Sequence, residues 1–183
     1  MKAVAALAIA CLMVGTAADA SPADDALRAT TSGFYGVYMT LHPSDGVPDP
    51  SARARFAPFL SPGLAALLAQ GAAAESRYAE VTKHQAPPLM EGDLFSPNFE
   101  GATAFRVGAC QSEADHGRCA VVLTYDDRKD KPLLWTDTVL LARGAGGWQV
   151  DDIVYGGTGA FGNRGRLTEV LQNAIHDGDA FSH

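Results

Sequence analysis

Carboxylates set among apolar neighbours are the residues whose types and spacing could carry chemistry in this chain. In WQVDDIVY, residues 148–155, strict alternation places Trp148, Val150, Asp152 and Val154 on one strand face and Gln149, Asp151, Ile153 and Tyr155 on the other. A carboxyl at Asp152 enclosed by valines and an indole would lose hydration and keep its proton to higher pH. That makes Asp152 the candidate catalytic acid or base. Glu91 and Asp93 in MEGDLF form a second acidic pair just before the first strand-like run. Tyr35, Tyr38, Tyr78 and Trp135 could supply the walls and hydroxyls of a pocket, so these four join Glu91, Asp93 and Asp152 as candidate ligand contacts. The competing expectation is structural, and it is the favoured one. Asp152 would pair with an Arg or cap a backbone group, Glu91 and Asp93 would order their loop, and the aromatics would fill a core.

Other motifs point away from known catalytic machinery. The run GGTGAFGNRGR, residues 156–166, contains G-x-G-x-x-G as Gly157, Gly159 and Gly162 between a strand-like and a helix-like run. A dinucleotide fold, however, needs a further parallel strand after that helix, and only 21 residues follow Gly162. The glycines are read as a turn leaving a sheet edge, and no nucleotide or other cofactor is expected. His42, His84, His116, His176 and His183 sit at expected helix ends, in a polar loop or in the tail. There is no G-x-S-x-G and no H-E-x-x-H.

The elements that must position these residues are legible from periodicity. Residues 1–20 open with a Lys, continue as an apolar run and end in Ala18-Asp19-Ala20. They are read as a secretory signal peptide whose removal leaves no membrane span. Residues 21–176 form one domain, with 177–183 as a disordered tail. A helix is expected over residues 23–41, with Phe34, Val37, Tyr38 and Leu41 on one stripe. A short helix follows at 51–60, and a third to about Lys83 begins at Ser61-Pro62 as cap and first helical residue. Strands are expected at 104–110, 119–125, 133–142 and 148–155, joined by short turns and therefore antiparallel. A helix at 164–175 closes the domain.

In an oxidising compartment Cys110 and Cys119 are expected to form a disulfide at the neck of the polar loop between the first two strands. A metal site from Cys110, His116 and Cys119 would have only three soft ligands, and no metal is expected. The chain carries 14 Lys and Arg against 21 Asp and Glu, a net charge of −7, so nucleic acid is not an expected partner.

Several stretches together resemble a known family: FYGVYMTLH, RFAPFLSPGLAALLA, APPLMEGDLFSPNFEGATAFRVG, and WQVDDIVYGG before FGNRGRLTEVL. They resemble the secreted bacterial family named domain of unknown function 3828 (DUF3828), over roughly residues 25–171. That family is similar to the nuclear transport factor 2-like cone, in which helices cover a strongly bent sheet and leave a pocket. The resemblance implies no settled activity. The fold expected is α+β: N-terminal helices on a curved, cone-like antiparallel sheet, then a C-terminal helix.

The function expected is a periplasmic or secreted, noncatalytic module that binds a small molecule or an envelope protein. One alternative is an isomerase- or lyase-like enzyme using Asp152. Another is an inhibitor or immunity-type protein that uses an acidic surface, with 111–118 and 126–131 as the available loop segments and the net charge of −7 as support.

Overall fold

The computed structural model describes residues 21–42, 46–157 and 162–181. Residues 1–20, where a signal peptide is expected, Gly159 of the glycine run and the last two residues lie outside them.

Helix α1 spans Pro22–Leu41. Ser21 caps it by accepting the Asp24 N–H at 3.2 Å, a proline opens it, and Asp24 and Asp25 oppose the positive end of its dipole. Its buried residues Leu27, Thr31, Phe34, Tyr35 and Tyr38 recur at helical spacing and define the face turned to the core. The helix stops at His42, which takes a left-handed conformation at φ 42°.

Helix α2, Pro50–Phe56, is capped by Asp49 and runs into a 3-10 turn at Ala57–Phe59, replacing the single helix expected to Leu60. Helix α3, Pro62–Val81, starts at the Ser61 cap as expected. Helix α4 covers Leu167–Ala180, so residues expected to be tail are helical. Gly178 is buried there, and a Cβ on it would lie 2.9 Å from the Ala74 side chain, which sets α4 against α3.

The strands are β1 (Ala104–Glu113), β2 (His116–Tyr125), β3 (Leu133–Gly144) and β4 (Gly147–Val154). They form one antiparallel sheet in the order β1-β2-β3-β4. The fold class is therefore α+β, a curved antiparallel sheet with helices packed on it and a C-terminal helix. Alternation along β3 buries Trp135, Asp137, Val139 and Leu141.

The expected loop between the cysteines is shorter than anticipated. The strands continue through it, Glu113 pairs with His116, and Cys110 and Cys119 are cross-strand partners with Cα atoms 4.1 Å apart, joined by the disulfide. The bridge thus staples the ladder and does not close a loop neck.

Two register shifts bend the sheet, between Val107 and Cys110 on β1 and opposite Leu140 and Leu141 on β4. Helix α1 seals the β1 edge: Arg28 donates to the carbonyls of Val107 and Gly108 at 3.1 and 2.8 Å, and Asp24 accepts the Ser112 N–H at 3.1 Å. The β4 edge is covered in turn, since Ser61 donates to the Val150 carbonyl and Tyr155 donates to that of Gly165. Neither edge is left as an open template for strand pairing.

Candidate functional site

The segment from α3 to β1, residues 82–103, folds across the end of the sheet and brings a carboxyl into the core. Leu94 and Phe95 anchor it, the latter against the rings of Phe34 and Phe56 at 5.3 and 4.9 Å. Asp93, beside them, is 3% exposed. Its Oδ1 accepts the Phe95 N–H at 2.7 Å and its Oδ2 accepts the Tyr38 hydroxyl at 2.5 Å. The Tyr38 oxygen in turn accepts the Ala102 N–H at 2.8 Å, so one phenol ties both ends of residues 93–102 to α1. Asn163 donates to the carbonyls of Asp93 and Ser96 at 2.7 and 3.1 Å, joining this segment to the chain beyond β4.

A second buried carboxyl faces the same region. Asp137, on the inward face of β3, is fully buried. It accepts the Gly156 N–H at 2.8 Å and the Trp135 indole N–H at 3.4 Å. Tyr155, at the end of β4, donates to the Leu94 carbonyl at 2.6 Å. Tyr35 is also fully buried, and its hydroxyl has no hydrogen-bond partner.

Burial pushes the Asp93 carboxyl up to about 7, against the lowering effect of its Tyr38 and Phe95 hydrogen bonds and with a further push from Asp137. Burial likewise raises Asp137 to about 6, opposed by the Gly156 and Trp135 donors. The Tyr35, Tyr38 and Tyr155 hydroxyls are held well above the ordinary phenol value, again chiefly by burial. Asp137 also raises the Asp93 carboxyl, and both acids raise the Tyr35 and Tyr155 hydroxyls.

Two cavities open at this end of the sheet. One, of about 270 Å³, is lined by Glu91, Asp93, Phe99, Gly162 and Asn163. The other, of about 250 Å³, is lined by Pro97, Asn98, Leu133, Leu134, Trp135, Gly156 and Gly157. Leu133 and Leu134 on its wall are 51% and 60% exposed.

The candidate residues therefore divide. Tyr35, Tyr38 and Asp93 belong to the buried cluster, Trp135 borders both cluster and groove, and Glu91 is exposed on the cavity rim. Tyr78 stands apart, stacked edge-on against Phe181 at 5.0 Å near the C-terminal ends of α3 and α4.

Asp152 lies as the favoured structural expectation has it, beside an Arg and against backbone donors, and not in a pocket as the base of the alternative. The β4 register shift makes Val150 the partner of Leu141 and Asp152 that of Leu140, leaving Asp151 as the extra residue. Past that point Ile153 and Tyr155 enter the core, and Asp152 points to α4. Its carboxylate accepts the Thr168 N–H at 3.1 Å, the Thr168 hydroxyl at 2.9 Å and its neighbour's Ile153 N–H at 2.9 Å, and lies 3.7 Å from Arg166. Because Arg166, at the cap position, makes no side-chain cap bond, Asp152 performs that task from the neighbouring strand. Asp152→Ala is expected to lower stability by about 1–2 kcal/mol through the lost cap, read as a shift in urea midpoint. A loss below about 0.5 kcal/mol would contradict the capping role.

Asp137, Tyr155, Ser96 and Asn163 were not among the expected site residues. Extending the alternation of LLWTDTVLL from Trp135 would have found Asp137. Nothing in the local sequence signals Ser96 or Asn163, whose positions follow from how two loops meet.

No family model, no characterised protein and no solved structure matches this chain. What fold and site define is a class only: a disulfide-stapled α+β domain with two buried carboxyls beneath a rim of apolar side chains. No described helix is long and apolar enough to cross a membrane, and the disulfide fits an extracytoplasmic setting.

Proposed function

We propose that this chain is a periplasmic or secreted binding module, without catalytic chemistry of its own. It takes a small molecule with an apolar body at the rim formed by residues 91–99 and the end of β3. The observation that carries this reading is the groove of about 250 Å³ in which half-exposed Leu133 and Leu134 stand beside Trp135 and Pro97. Exposed apolar side chains gathered around a concavity, with few polar groups at its base, are the usual form of a small-molecule site. The leader-like sequence and the disulfide support the location. Membership of DUF3828 is proposed with it, on the motif order given above.

Acid–base catalysis is the second reading, and it rests on Asp93 in place of Asp152. Asp93 lines the adjoining cavity, and burial pushes its carboxyl up to about 7. Against it, both Asp93 oxygens are already engaged by Phe95 and Tyr38.

The fluorescent probe anilinonaphthalene sulfonate tests the binding reading. Saturable one-site binding at pH 6 is expected, weakened about tenfold or more in a Leu133→Ser/Leu134→Ser variant, since two exposed apolar contacts are lost. A Val81→Ser variant, which changes an exposed apolar residue on α3, should bind as the wild type does. Equal binding by the double variant, or no saturable binding at all, would remove the reading.

A further inference from the structure

The cavity of about 270 Å³ beside the apolar groove offers a ligand acceptor oxygens and one aromatic ring. Glu91 is exposed on its rim, while Asp93, only 3% exposed, also lines it. Among the described residues the ion pairs join Arg77 to Asp179 and Arg166 to Asp152, so neither Glu91 nor Asp93 has a cationic partner. Both Asp93 oxygens accept hydrogen bonds, from Phe95 and Tyr38, and these favour its charged form. Asn163 spends both hydrogens of its amide on the carbonyls of Asp93 and Ser96, so the polar atom its side chain has left is an oxygen. Arg164 follows it in the chain but is exposed and does not line the cavity.

Backbone geometry brings the ring to the two acids. Gly92 separates them in sequence, has φ 70°, and leaves room that a Cβ would take, 2.6 Å from the Phe99 ring. The Asp93 N–H donates to the Phe99 carbonyl at 3.0 Å, which closes the turn and holds the ring against this glycine. Pro97 lies between cavity and groove. It lines the groove, and a Cβ on Gly157 of the groove or on Gly162 of the cavity would run into it.

We propose that this cavity is the polar subsite of the binding site and takes a primary alkylammonium group, so that the ligand is a cationic amphiphile whose apolar body lies along Leu133 and Leu134. The proposal rests on the reading of that groove as the place of the apolar body.

Chemistry selects the class. The N–H donors of an ammonium match a lining of acceptors, its charge compensates two carboxylates that lack a counterion, and the face of Phe99 attracts a cation. A neutral or anionic end group would leave the buried Asp93 uncompensated. A divalent metal fits less well, since it asks for about six or more oxygen ligands and no group of three metal-binding side chains occurs among the described residues. The net charge of −7 favours the approach of a cation. The sulfonate of the fluorescent probe has no place in this cavity, so that probe reports the groove alone.

Two ligands of equal chain length, hexylammonium and hexanol, separate the subsite from the groove. They are titrated at pH 7.5 and followed by the amide shifts of Phe99 and Gly157. At that pH the Asp93 carboxyl, pushed up to about 7 by burial, is largely ionised. The wild type is expected to bind hexylammonium about tenfold or more tighter than hexanol. Glu91→Gln, which changes an exposed side chain, should cut that preference to about threefold or less, and Phe99→Leu should lower it as well, with hexanol binding unchanged in both. Equal binding of the two ligands by the wild type, a preference that Glu91→Gln leaves intact, displacement of hexylammonium by calcium ions at lower concentration, or no saturable shift with either ligand would overturn the proposal. The Leu133→Ser/Leu134→Ser variant scores the groove separately. If it weakens both ligands alike and the wild type does not prefer the ammonium, the groove stands and the subsite falls. If it weakens neither and the preference persists, the subsite stands and the groove reading falls.

Discussion

Raising the pH from 5 to 8 is expected to destabilise this protein, the reverse of the acid sensitivity that paired surface carboxylates produce. Asp93 moves from an ordinary value of 3.8 to about 7 on folding, and Asp137 from 3.8 to about 6. Between those values the folded chain holds protons that the unfolded chain has released. The stabilising contribution is therefore fully present below about 4 and lost as pH rises through the folded values. A shift of about three pH units corresponds to about 4 kcal/mol for Asp93, and Asp137 adds a smaller amount of the same sign.

Asp24 and Asp127 act in the opposite sense. Hydrogen bonds lower both, from Ser21 and Ser112 for the first and from the backbone of Lys129 and Asp130 for the second, and their contribution is lost as pH falls. Both are at the surface, so the buried pair should dominate and the optimum should lie in mildly acidic solution. Urea unfolding across this range checks the slope. Asp93→Asn keeps the shape and removes the charge, and should flatten most of it; an unchanged slope would mean that Asp93 is already ionised in the fold.

Gly101→Ala is expected to cost about 2–4 kcal/mol, combining a strained backbone with overpacking. Gly101 has φ 77°, and a Cβ there would lie 2.3 Å from Asp93 Oδ2 and 2.8 Å from the Tyr38 hydroxyl oxygen. Neither atom can retreat, because each is fixed by its own hydrogen bonds inside the core. Gly92 provides the comparison. Its φ is 70° and a Cβ would meet the Phe99 ring at 2.6 Å, but Phe99 is 45% exposed and can swing into solvent. Gly92→Ala should therefore cost about 1 kcal/mol, the backbone part alone. Equal losses at the two positions would show that crowding at the Asp93–Tyr38 pair is not what Gly101 relieves. Thermal or urea midpoints of the two variants decide the matter.

The helices and the antiparallel meander were legible because each announces itself locally. Ser61-Pro62 marks the start of α3, and of the expected α1 stripe Phe34 and Tyr38 are buried while Val37 and Leu41 are only partly so. The order of the strands excluded a βαβ unit, and the observed sheet is antiparallel throughout.

The sites that misled did so where a non-local event broke a local rule. A single extra residue, Asp151, shifts the β4 register, so the alternation that put Asp152 with Val150 in a pocket ends one residue too soon. The length of α4 beyond Ile175 depends on Gly178 fitting against Ala74 and Leu89, a contact made with another helix and another loop. Among the candidate residues, Asp93 was recognisable as a carboxyl near a sheet entrance. Its pairing with Tyr38 of α1, 55 positions earlier, is set by tertiary packing alone.

Carbon-13 NMR titration of the aspartate side-chain carboxyls tests most directly whether two uncompensated acids lie beneath the rim. Asp93 is expected to titrate at about 7 and Asp137 at about 6, with the Asp93 midpoint falling when Asp137 is replaced by Asn. Titration of both at the ordinary value of 3.8, with no response of one to loss of the other, would contradict the buried pair and everything built on it.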